Sequence, residues 1–214
     1  MFVQFLHGRV ADEAGARKEV SVWQEQLAAD ATGWLGSTAG VTLDHRFVLL
    51  HRFESEKAAR RSAERPAQVA WGRRLEAYMV GPLATLAYPS VRLLKEGDCD
   101  KAGFVQVMLG RVTDPRRLAA LQPDVERMLR ERAPQVLGAA LLTAGDDHGS
   151  FAQVSYATSE QEALAAERTM SVETAVLLGM VRSYMERLEF LDLRDPWLLS
   201  PGALRQPGPV LAGG

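Results

Sequence analysis

The sequence predicts an α+β chain in which one βαββαβ unit occurs twice, and three observations predict it. Residues 2–10 read FVQFLHGRV and residues 104–112 read FVQVMLGRV, identical at six of nine positions at an offset of 102. Each half then runs through the same alternation of strand-like and helix-like hydrophobic periods. Between them, residues 96–103, EGDCDKAG, are polar and aperiodic and mark a boundary.

The elements follow in order. Residues 2–10 alternate and are rich in β-favouring types, and Asp12-Glu13 then opens a helix. Ala16, Val20, Trp23 and Leu27 fall on one face of that helix. In the second half Asp114-Pro115 supplies an N-cap and a first-turn proline, and Leu118, Leu121, Val125 and Leu129 repeat the face, with Pro123 expected to kink or split the helix. Strands at 34–43 and 46–53 are joined by a turn at Asp44-His45, and residues 145–149 form the equivalent hairpin. The glycines of GWLGSTAG, residues 33–40, point to a bulge or a close backbone approach. Helical stretches follow, the second opened by Pro66, and a last strand is expected at 83–94 and again at 188–194.

The order βαββαβ is the ferredoxin-like arrangement, one antiparallel sheet with helices on one face. The bare face of each sheet needs cover, and two such sheets packed face to face cover each other. The expected organisation is a first ferredoxin-like domain over 1–95, a linker over 96–103, a second over 104–194 and a Pro/Gly-rich tail over 195–214.

Composition narrows the function. With 214 residues and 47% apolar content the chain can bury a sizeable core. A net charge of -2 without a basic, aromatic-interleaved stripe disfavours nucleic acid as a partner. No apolar run reaches a membrane span and the N-terminus lacks a leader pattern, so no membrane association and a cytoplasmic location are expected. The single Cys99 allows no intramolecular disulfide and no cysteine-rich metal site. Phosphate-loop, dinucleotide, nucleophile-elbow and zincin motifs are absent, and no metal site is expected. Twenty-one arginines against four lysines, with no asparagine or isoleucine, suggest a high-GC bacterial source.

Strand alternation groups the candidate site residues. One face of the first strand carries Phe2, Gln4 and Leu6, and its twin carries Phe104, Gln106 and Met108. One face of the third strand carries Phe47, Leu49 and His51, and its twin Phe151, Gln153 and Ser155. The opposite faces, Val48 with Leu50 and Ala152 with Val154, are more apolar and are expected to meet the helices. Gln4, His51, Gln106, Gln153 and Ser155 are therefore expected to face the space between the sheets, as polar groups of a ligand pocket or as glutamines bonded to backbone and to each other. His51 is the best general-base candidate there. His7 is expected on the helix side, and His45, His148, Asp44, Asp146 and Asp147 in solvated turns.

The doubled FVQxxxGRV, WLGSTAGVT in the second strand, FxSExAARR after the third strand and the Trp71 helix resemble the antibiotic biosynthesis monooxygenase-like, dimeric α/β-barrel superfamily in tandem-repeat form. The resemblance implies an intramolecular barrel and oxidation of a small aromatic or polyketide-like molecule without metal or flavin, so no cofactor is expected. It suggests Trp71 and Tyr78 beside His51 as catalytic residues, with Arg92 as a ligand contact. The asparagine position of that pattern falls at Ala67, and neither the quinone-forming nor the haem-degrading residue set is complete. The second half has Thr174 where Trp71 stands, which points to one site in the first half. The alternative is a non-catalytic, small-molecule-binding or stress-responsive barrel. Either way the expected partner is a small apolar or aromatic molecule, and the expected assembly a monomeric pseudo-dimer with at most a weak homodimer.

Overall fold

Two five-stranded antiparallel sheets lie against each other, each carrying helices on its outer face. The structure, a computed structural model, describes residues 1–145 and 149–201. The expected turn residues Asp146, Asp147 and His148, and the tail beyond 201, lie outside the described residues.

The first half comprises β1 (Phe2–Arg9), α1 (Glu13–Gln26), β2 (Trp34–Val41), β3 (Arg46–Phe53), α2 (Glu56–Ala63), α3 (Pro66–Glu76), β4 (Ala84–Tyr88) and β5 (Ser90–Lys95). The second comprises β6 (Phe104–Val112), α4 (Pro115–Arg132), β7 (Val136–Thr143), β8 (Ser150–Ala157), α5 (Glu160–Arg168), α6 (Val172–Ser183), β9 (Met185–Leu193) and β10 (Trp197–Leu199). Helix starts are set by twin caps: Asp12 and Asp114 accept from the Gly15 and Arg117 amides, and Ser55 and Ser159 from those of Ala58 and Glu162. The β2–β3 turn is tight enough to place His45 at φ 61°. Pro123 does not split its helix: α4 runs unbroken, and the proline lies on the exposed side, where water can take the carbonyl bond it forfeits.

The strand orders are β10-β2-β3-β1-β4 and β5-β7-β8-β6-β9. Each half thus builds the ferredoxin-like four-stranded core and lends its final strand to the other half's sheet. What reads as one strand over 83–94 is two, because Pro89 donates no ladder bond and turns the chain from β4, on β1, to β5, on β7. Asp195-Pro196 makes the same crossing from β9, on β6, to β10, on β2. β10 lies in the stretch expected to be a tail, and the 1–95 and 104–194 segments are interleaved rather than separable.

Three apolar clusters result. Between the sheets, Val3, Phe5, Val48 and Leu50 meet Val105, Val107, Ala152 and Val154. The expected assignment of faces is therefore reversed: the aliphatic faces pack sheet to sheet, and the faces bearing Gln4, His51, Gln106, Gln153 and Ser155 look toward the helices. Facing sheets lie only about 10 Å apart, and interdigitated aliphatic side chains fill most of that gap at less cost than burying a row of glutamines there. His7 is likewise on the inner side, stacked on Phe5 at 5.1 Å, where burial and then Arg46 lower its pKa. Under the helices, the cluster on the first sheet buries twenty residues, two of them from β10, and the cluster on the second sheet only six, one of them from β5. No helix among the described residues is long and apolar enough to cross a membrane.

Candidate functional site

The outer face of the first sheet is filled by rings. All four tryptophans of the chain, Trp23, Trp34, Trp71 and Trp197, belong to this one cluster. His51 is enclosed among them at 3% exposure, with ring centroids 4.7 Å from Trp23 and 6.1 Å from Trp71. Trp34 Nε1 donates to Ser37 Oγ at 2.8 Å, and Ser37 Oγ lies 2.6 Å from His51 Nδ1. Ser37 Oγ thus links the indole to the imidazole, and His51 Nε2, on the other side of the ring, is buried without a partner. Burial alone lowers the His51 pKa to about 3. A histidine so placed is neutral near pH 7 and has no path by which to exchange a proton with a ligand.

The other first-half candidates are structural in their contacts. Trp71 is 2% exposed and donates to the Glu19 carbonyl at 2.8 Å, holding α3 to α1. Tyr78, just past α3, packs over Gly15, where an added Cβ would lie 2.2 Å from its ring. Gln4 is half-buried on the helix side, in register with His51. Arg92 does not join them: β5 carries it into the second sheet, where it pairs with Glu126 of α4 at 2.8 Å.

The second half keeps the plan and loses the rings. Trp23 is replaced by Val125, Trp34 by Val136, His51 by Ser155 and Phe53 by Ala157, and all four smaller residues line a cavity of about 570 Å³ between the sheet and helices α4–α6. Its floor carries the three remaining candidates: Gln106, Gln153 and Ser155, with Gln153 Nε2 3.5 Å from Ser155 Oγ. Gln106 Nε2 donates to Asp192 Oδ1 at 2.9 Å, and Asp192, which sequence reasoning missed, also lines the cavity. Its first-half counterpart on the neighbouring strand is Ala87, paired with Gln4 as Asp192 is with Gln106. The signal available was the alternation of β9, which sets Asp192 between the buried Leu191 and Leu193. The roof is light, since neither α5 nor α6 has a buried residue. A mainly apolar pocket, open to solvent and lined also by Arg132, Glu160 and Glu167, with a glutamine-held carboxylate and a hydroxyl on its floor, can bind a small aromatic molecule and take a proton from it.

Fold and cavity define the class: a tandem α/β barrel, one half filled and the other open. No family model and no curated protein matches the chain. Among solved structures, a candidate monooxygenase of Fusobacterium nucleatum subsp. nucleatum aligns over 94% of this chain and 94% of its own, with TM-score 0.72 and 9% identity. A candidate monooxygenase of Lactobacillus acidophilus NCFM aligns over 93% and 99%, with TM-score 0.66 and 8% identity. An anthrone oxidase-like protein aligns over 92% and 90%, with TM-score 0.60 and 12% identity. At these identities the likeness is one of fold, and it bears out the tandem, dimeric α/β-barrel architecture along the whole chain.

Proposed function

We propose that the chain binds a small aromatic, polyketide-like molecule in the second-half cavity and oxidises it with molecular oxygen, without a cofactor of its own. The observation that supports this reading is the cavity itself: ring volume withdrawn at four aligned positions, leaving a mainly apolar pocket over Asp192, Gln106 and Ser155. The structural neighbours named as monooxygenases and as anthrone oxidase-like supply the reaction class. Gln106 engages Asp192 Oδ1, which leaves Oδ2 to accept a proton from an activated CH₂ or phenol. The resulting anion reduces O₂. One oxygen atom becomes the new carbonyl and the other leaves as water, so that R₂CH₂ and O₂ give R₂CO and H₂O. This site replaces the first-half site that the resemblance suggested, because His51 and Trp71 there are occupied in packing.

A binding role without turnover is the second reading, favoured by the incomplete residue pattern, with no asparagine in the chain. One experiment separates the two. With anthrone as probe, oxygen uptake and quinone absorbance are followed for wild type and Asp192→Asn. Loss of about 10²-fold in kcat with anaerobic binding retained supports the base role. Binding without uptake in wild type supports the second reading, and absence of binding rejects both.

A further inference from the structure

A second cavity lies elsewhere, between the two sheets at the end of the barrel where β3 and β5 finish. It holds about 260 Å³ and opens to solvent, and its walls are mainly aliphatic, formed chiefly by Val3, Leu50, Val91, Leu142 and Val154, with Tyr156 beside them. One charged group among its lining residues is unspent. Arg52 Nε is buried and has no hydrogen-bond partner, and no carboxylate of the described residues pairs with the guanidinium. The backbone makes room for that guanidinium. Gly36 sits in the β2 bulge at φ +131°, and a Cβ there would lie 2.5 Å from Arg52 Nη2. The other charges are accounted for: Lys95 Nζ donates to the Leu129 and Ala133 carbonyls at the end of α4, and Glu96 is exposed at the rim.

An unpaired guanidinium edge over an aliphatic chamber matches one ligand chemistry, an apolar body ending in a carboxylate, since a carboxylate takes two parallel N–H bonds from one edge of the fork. Space sets the length. At about 30 Å³ for each water-sized group, 260 Å³ accommodates roughly eight to nine such groups, the size of an eight-carbon acid. We propose that this barrel-end cavity binds a short-chain carboxylate, acyl or aryl, with its head on Arg52 and its body between the sheets. The site is separate from the helix-side cavity and does not depend on the function proposed for it.

The chain carries its own reporter, because its one cysteine, Cys99, lines this cavity. The test measures alkylation of Cys99 by iodoacetamide in the wild-type protein, in alkaline buffer because burial raises the thiol pKa. The rate is followed by mass spectrometry with octanoate or octan-1-ol present, and heats of binding are measured for the same two probes. Octanoate is expected to slow alkylation at least fivefold and to bind at least tenfold more tightly than octanol. Arg52→Met should abolish that preference, Arg52→Lys should retain part of it, and Ser155→Trp, which fills the other cavity, should leave octanoate protection intact. An alkylation rate indifferent to octanoate in wild type would overturn the proposal. So would equal binding of octanoate by Arg52→Met, or protection lost in Ser155→Trp, which would place the acid in the helix-side cavity instead.

Discussion

His51 and Ser155 stand at the same place in the two repeats, opposite Ser37 and Ala139 on the neighbouring strand, yet the first closes its half and the second floors a cavity. The difference is one of volume. A ring that bonds to Ser37 and packs on Trp23 and Trp71 leaves no space, whereas a hydroxymethyl group beside an alanine leaves it open.

The open half should therefore be less stable than it could be. Ala157→Phe restores the ring that Phe53 supplies in the first half, and burying it should stabilise the chain by about 1–2 kcal/mol. Urea unfolding should show the gain. Calorimetry should show loss of ligand binding in the same variant, since the ring enters the cavity.

The buried histidine makes stability depend on acid. Its folded pKa is about 3, against the ordinary imidazole value of 6.5, so between these values the unfolded chain binds the proton and the folded chain does not. Stability is full above pH 6.5 and falls as the pH drops toward 3. At about 1.4 kcal/mol per unit of pKa, the loss attributable to His51 is on the order of a few kcal/mol. His51→Gln should be less stable than wild type at pH 7 and should close the gap as the pH is lowered, measured by thermal melts between pH 7 and 4. Parallel melting curves for the two proteins would contradict this account.

Ser37 is the hinge of the same chain of bonds. Ser37→Ala strands both Trp34 Nε1 and His51 Nδ1 in a dry interior. A cost of about 1–3 kcal/mol is expected in equilibrium unfolding, with ligand binding in the second half unchanged.

The fold was legible because the repeat is written in residues that shape the backbone: the twin caps Asp12 and Asp114, the twin glycines Gly8 and Gly110, and the paired β-hairpins. The strand exchange was not, because Pro89 reads equally as a turn within one strand or as a passage between two sheets. The facing of the sheets was misread for a related reason. Alternation says which side chains share a face, but not which layer that face meets. The repeat held the clue: the face buried between the sheets stays mainly apolar in both copies, as Val48 with Leu50 and Ala152 with Val154 are. The helix-side faces are free to diverge, and they did, at Trp23, Trp34, His51 and Phe53. Presence of aromatic and titratable groups suggested a site in the first half. Their absence from the second is what leaves room for one.

The sheets are also joined by a polar bond, Thr38 Oγ1 to Tyr156 Oη at 2.7 Å, both groups being buried. Tyr156→Phe should destabilise by about 1–3 kcal/mol because the threonine hydroxyl is left unpaired, whereas Thr38→Val with Tyr156→Phe should cost less than the sum of the two single changes. A double-mutant cycle in urea checks it. Light scattering at micromolar concentration should show a monomer throughout, since the chain covers both inner sheet faces itself.

The central claim is that the second half, and not the first, receives the ligand. Titration calorimetry with anthrone under nitrogen tests it on three proteins: wild type, Ser155→Trp and Trp71→Phe, each checked by its melting curve. The account predicts one binding event per chain in wild type, unchanged affinity within about twofold in Trp71→Phe, and no binding in folded Ser155→Trp. Binding that survives Ser155→Trp and is lost in Trp71→Phe would return the site to the first half and contradict the account.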